Sequence, residues 1–139
     1  MEKITVQQIM EWKPCYRYPE EKVQEIIGNG KTPLEILELD LPVRDKFWLL
    51  FREEVISEKQ LLILASDFAQ SANIPVVVAN TASAIVHATA FNAADMSRDS
   101  NMERLKQAEM VKKVLMARIS KEKHDTIKFW EYEVKEVTE

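Results

Sequence analysis

The side chains with the most to offer chemically are two histidines, His87 and His124, and a lone cysteine, Cys15. A protein-bound metal needs three or four ligands that converge, often from i,i+4 or CxxC spacing. His87 has no Asp, Glu, Cys or His within four residues, and His124 is followed directly by Asp125. Adjacent residues on a helix point in different directions, so neither histidine starts a ligand set. The sequence predicts no metal site and no cofactor. As a nucleophile, Cys15 would need a histidine folded against it; between Pro14 and Tyr16 it reads as a small residue at a helix end. No GxSxG, GxGxxG, HExxH or P-loop pattern is present, and two glycines cannot build the usual phosphate-cradling loop. Glu20-Glu21, Glu53-Glu54 and Glu131/Glu133 are neighbouring acids of the solvated kind. No catalytic residue is predicted, and the chain reads as non-enzymatic.

Binding residues are easier to nominate. Asp67 is a charge inside an otherwise apolar helical stripe, so it lies at the edge of a buried face or is paired with a basic residue. Phe129, Trp130 and Tyr132 stand in a charged tail and form the best candidate patch for a protein partner. The alternative is that this tail packs back onto the body. Residues 98–123 hold eight basic side chains against four acids. Arg104, Lys112, Lys113, Arg118 and Lys121 from that region are candidate phosphate contacts, although exposed helix faces need such lysines for solubility alone. A helix-turn-helix over residues 20–39 is the weaker nucleic-acid reading, because residues 33–39 carry Glu35 and Glu38 and no arginine to read bases.

The elements that would position these groups are written as helices. Thr5 with Gln8 and Thr32 with Glu35 are capping boxes. They predict helices over residues 6–12, ended by Pro14, and from residue 33 to about residue 39, ended by Asp40-Leu41-Pro42. Pro19, Glu20 and Glu21 open another helix, which Gly28 closes. Residues 43–51 crowd their apolar side chains, Trp48 among them, and read as core. Ser57 with Gln60 starts a helix whose Leu61, Leu64, Ala65, Phe68, Ala69 and Ala72 share one face. After the corner Asn73-Ile74-Pro75, an alanine-rich helix is predicted over about residues 76–95, with a short strand at Val76-Val77-Val78 as the lesser alternative. A last helix over about residues 101–120 places Leu105, Ala108, Leu115 and Ile119 on one side. From residue 121 the tail reads two ways: Ile127, Trp130, Val134 and Val137 as a helical stripe, or Trp130, Tyr132 and Val134 as a strand. Helix is favoured.

Composition agrees. The chain has 139 residues, the length of one domain with a substantial core; residues 121–139 are set apart as an extension. Scarce glycine disfavours a sheet, which needs turns. Residues 69–94 contain no Asp, Glu, Lys or Arg, but Gln70, Asn73, Asn80, His87 and Asn92 interrupt them, so a buried central helix is predicted and no membrane span. A net charge of −4 opposes wholesale nucleic-acid binding. One cysteine and a charged N-terminus without an apolar signal segment indicate the cytoplasm.

A family resemblance also runs through the chain. Glu11-Trp12-Lys13-Pro14-Cys15 followed by Tyr18-Pro19-Glu20-Glu21 resembles the opening of small proteins of Firmicutes, other bacteria and their phages, often labelled uncharacterised or provisionally as immunity proteins. The most specific block is residues 34–48, LEILELDLPVRDKFW. Residues 64–70 resemble the next helix of that family, which typically has cysteine and glutamate where this chain has Ser66 and Gln70. Ala79–Ala94 matches an alanine-rich run that is often much longer there, and residues 104–115 match a closing helix. The resemblance covers about residues 5–116. It implies an all-helical, non-enzymatic protein carried by mobile elements, and it brings no catalytic residues.

The expectation is therefore an all-α bundle of about six to eight helices. Its function would be protein interaction, as an inhibitor or immunity-type factor of a phage or mobile element that occludes a protein partner, with action against bacterial defence as one form. Self-association is a further possibility for its partners. The alternative is a nucleic-acid-associated regulator using residues 104–123.

Overall fold

The computed structural model describes residues 2–134, with side chains as far as residue 117. Seven helices follow one another: α1 (Val6–Glu11), α2 (Glu20–Ile27), α3 (Pro33–Leu37), α4 (Val43–Leu50), α5 (Glu58–Ala72), α6 (Ala82–Met96) and α7 (Ser100–Val134). The fold is all-α, as expected. Among the described residues the one extended pairing is an isolated antiparallel bridge between Ile4 and Lys31. It ties the N-terminus to the turn before α3, and Gly30 makes it possible: at φ 114°, a Cβ there would lie 3.2 Å from Lys3 Cβ. No described helix is long and apolar enough to cross a membrane.

Local chemistry explains the helix starts. Thr5 and Thr32 form the reciprocal capping boxes with Gln8 and Glu35, and Ser57 accepts from the Gln60 amide. The cap of α6 is Thr81, whose hydroxyl accepts from the Ala84 amide. This corrects the start expected near residue 76. Val76, Val77 and Val78 are neither helix nor strand; β-branched residues are poor helix formers, and the Val77 amide is already satisfied by Thr89 Oγ1 at 3.0 Å. The last helix is also longer than expected, running on to Val134. The backbone of 129–132 is therefore helical, while the side chains of Ile119, Phe129, Trp130, Tyr132, Arg118 and Lys121 lie outside the described residues.

Three phenylalanines join the long helices. Phe47 on α4 and Phe51 at its end stack with centroids 4.4 Å apart, and Phe68 of α5 lies 6.4 and 5.9 Å from them. Leu50, Ile56, Leu61, Leu64, Val86, Val111 and Leu115 pack around them, all fully buried. Alanines on both helices (Ala65 and Ala69 on α5; Ala82, Ala90, Ala93 and Ala94 on α6) are buried, and α5 with α6 is the most extensive helix pairing. The alanine-rich helix lies between α5 and α7 and buries one side; Ala84, Phe91 and Asn92 face out.

Two expected core residues sit elsewhere. Trp48 is only partly buried. It is one residue, about 100°, round α4 from Phe47, and its ring is covered by the Arg52 guanidinium, 4.2 Å away, with Trp12 4.4 Å from the same guanidinium. Leu105 is 56% exposed. The inner stripe of α7 is Glu103, Gln107, Val111 and Leu115 instead. Its two polar members are satisfied: Gln107 Nε2 donates to the Ala90 carbonyl at 2.9 Å, and Glu103 accepts from Ser71 Oγ at 3.3 Å.

These placements fix an expected contrast in stability. Phe51→Ala should lower the unfolding free energy by roughly 3–5 kcal/mol through cavity formation. Leu105→Ala should change it by no more than about 0.5 kcal/mol. Urea unfolding followed by circular dichroism measures both.

Candidate functional site

The structure disperses most of the groups nominated from sequence. Cys15 is exposed in the α1–α2 connection, whereas His87 lies on α6 against Phe51, with ring centroids 5.1 Å apart. Asp67 is half-buried at the edge of the α5 face and has no hydrogen bond or ion pair among the described residues, so the expected basic partner is missing there. No three His, Cys, Asp or Glu side chains among the described residues converge as metal ligands. Among the described residues, Arg104, Lys112 and Lys113 of α7 do not share one face. Arg104 is half-buried and turned towards α6, Lys112 approaches Glu38 at 3.5 Å, and Lys113 lies nine positions from Arg104, half a turn away.

One surface does gather chemistry: the open face where α4, α6 and α7 meet. Two adjoining depressions share Arg44, Phe91 and Arg104. The larger, of about 540 Å³, is walled by Leu41, Pro42, Val43, Phe91, Ala94 and Leu105, with Asp95, Ser100 and Asn101 on its rim. The smaller, of about 400 Å³, is formed by Arg44, Ala84, His87, Ala88, Phe91, Asn92 and Arg104. Phe91 is half exposed between them.

The core builds this face from below. Arg104 lies over the Phe47 ring, 5.9 Å from its centroid, and donates from Nη1 to Gln107 Oε1 at 3.1 Å. Gln107 is in turn held by the Ala90 carbonyl of α6. Its two hydrogen bonds fix which end of its amide is oxygen, and hence which way the guanidinium is drawn. Burial lowers the Arg104 proton affinity, and the positive charge of Arg44 lowers it further. Neither arginine is ion-paired to an acid among the described residues. Asp45, next to Arg44 in the chain, accepts the Tyr18 hydroxyl. That phenol is pushed up to about 12 by burial and by Asp45.

His87 is uncharged here. Burial pushes its pKa down to about 4 from 6.5, and the positive charges of Arg52 and Arg104 add to the effect. A neutral imidazole offers one donor and one acceptor, and no carboxylate among the described residues is hydrogen-bonded to it to orient it as a base. The arrangement suits binding better than proton transfer.

The sequence nominates Arg104 and singles out His87, but nothing in it brings them together with Arg44 and Phe91. Phe91 falls in a helix that reads as buried, Leu105 on the apolar side of the last helix, and Arg44 in a segment that reads as core. The available signal was the 100° step per residue. With Val86, Ala90 and Ala93 inside α6, His87 and Phe91 must fall on its flank.

The depressed pKa of His87 has a sign. Below pH 6.5 the unfolded chain takes up a proton at this position that the folded chain refuses until about pH 4. The stabilisation is complete above pH 6.5 and is lost progressively as pH falls towards 4. The urea midpoint of the wild type should therefore drop more between pH 7 and pH 5 than that of His87→Gln. The His87 ring signals should not titrate by NMR between pH 8 and pH 5.

In comparisons with protein-family models, with curated proteins and with solved structures, the chain has no match.

Proposed function

We propose that this chain is a non-enzymatic protein-interaction module that works in the cytoplasm by covering part of a partner protein. The observation that carries the reading is the pair Phe91 and Leu105. Both are large apolar side chains about half exposed, set on two helices along one open groove. Aromatic residues at the centre of a patch with a polar rim are where binding energy concentrates. The groove is open along its length, so it suits a segment of another protein better than an engulfed small molecule. The family resemblance noted in the sequence makes an inhibitor or immunity-type factor of a phage or mobile element the specific form of this reading, with anti-defence action as one case of it. Phe129, Trp130 and Tyr132 remain a second nominated contact.

Immobilised full-length protein should capture a partner from host lysate that can then be purified and recombined into a stoichiometric complex. Phe91→Asp should weaken that complex by at least about tenfold, with an unchanged circular-dichroism spectrum because the side chain is not part of the core. Failure to reconstitute any complex, or equal affinity for both forms, overturns the reading.

A further inference from the structure

We propose that Arg44 and Arg104 form a carboxylate-receiving site, so that the segment docking on this face carries an Asp or Glu side chain beside a bulky apolar one. The inference rests on the protein-interaction reading and names the chemistry of the partner.

The first support is preorganisation. A guanidinium has five N–H donors, and Arg104 gives one Nη1 bond to Gln107, which is fully buried and anchored to Ala90. With Phe47 beneath it, the side chain is held in place before any ligand arrives. Less rotamer entropy is then lost on binding than for a free arginine. The second support is uncompensated charge. Arg44 and Arg104 are close enough for one to lower the proton affinity of the other, and no described acid pairs with either. An incoming carboxylate would relieve that repulsion and accept charge-assisted hydrogen bonds from both.

The third support is the division of the face at Phe91. The depression holding Arg44, Arg104, His87 and Asn92 contains no acid. The neighbouring one is bordered by the same two arginines, but it adds apolar walls from Leu41, Val43, Phe91 and Leu105 and holds Asp95. An incoming carboxylate reaches the shared arginines from the acid-free side, and an apolar side chain fits the apolar walls of the other. A polyanion is a poor fit, because a phosphate backbone continuing from the arginines would meet Asp95 and a chain of net charge −4. The observations thus favour an acidic-apolar peptide over nucleic acid.

The test is an NMR titration of the full chain with a capped hexapeptide that contains adjacent Leu and Glu. A matching peptide with Gln for Glu and a twelve-nucleotide single-stranded DNA serve as comparisons. The expected result is saturable binding of the Glu peptide, with shifts at the Arg104 Nε, His87 and Phe91 signals. Affinity for the Gln peptide should be at least about tenfold lower. Arg44→Gln, an exposed change that leaves the core intact, should reduce Glu-peptide affinity towards that of the Gln peptide, and Arg104→Lys should retain part of it. Equal affinity for the two peptides, absence of binding, tighter binding of the DNA at the same signals, or self-association mapping to this face would each overturn the proposal. The captured partner separates the two readings. If Phe91→Asp disrupts its complex and Arg44→Gln with Arg104→Gln does not, the interaction reading stands and the carboxylate site falls. If none of these variants disrupts it, both fall.

Discussion

The aromatic contact between Phe47, Phe51 and Phe68 is the interaction on which the rest of the structure depends. It joins α4 to α5 at the centre of the core, and the other long helices are placed with respect to it. His87 brings α6 edge-on to Phe51, and Arg104 brings α7 over Phe47. These two polar residues are held by aromatic rings below and open to a groove above. The same rings that supply core burial therefore set the height and spacing of the groups on the candidate binding face.

Polar residues inside the bundle then decide how α7 is rotated. Burying Gln107 and Glu103 is tolerable because each finds a partner: the Ala90 carbonyl for one, Ser71 for the other. Rotating α7 to bury Leu105 instead would break both hydrogen bonds and carry Arg104 away from Phe47. The satisfied arrangement turns Leu105 outwards, next to Phe91, and aims Arg104 between α4 and α6. An apolar groove with a cationic end is the direct consequence. The small residues of α5 and α6 have a related role: they let the two helices pack together over their length, beneath the wall that carries His87 and Phe91.

A cationic recess on an acidic protein has a physical meaning of its own. Long-range attraction of acidic partners is not expected from a net charge of −4, so recognition would be local and would depend on fit. The helical positions of Arg104, Lys112 and Lys113 point the same way, since they do not merge into a broad positive surface. The neutral state of His87 belongs to this picture as well. Burial, with the positive charges of Arg52 and Arg104 adding to it, keeps it uncharged, leaving the arginines as the site's charge carriers at neutral pH.

The sequence by itself determined the all-helical class and most of the helix starts, because caps act within one turn. Thr5 with Gln8, Thr32 with Glu35, and Ser57 with Gln60 specify their helices through bonds that need no distant residue. The buried stripe of α5 was legible for the same reason: its apolar side chains recur at helical spacing with little ambiguity. Tertiary structure decided the rest. Whether α6 begins at Val76 or Ala82 depended on Thr81 winning the cap while Thr89 held the Val77 amide in an extended segment. Which side of α7 faces inwards depended on partners for Gln107 and Glu103 that lie 17 and 32 residues away in the chain. No local pattern could report those partners, and hydrophobicity alone favoured Leu105. Of the residues on this face, His87 and Arg104 stand out in the sequence for other reasons, and Arg44 and Phe91 do not stand out at all. The four become a candidate site only when three helices bring them to one face, since their proximity is a product of packing and not of spacing.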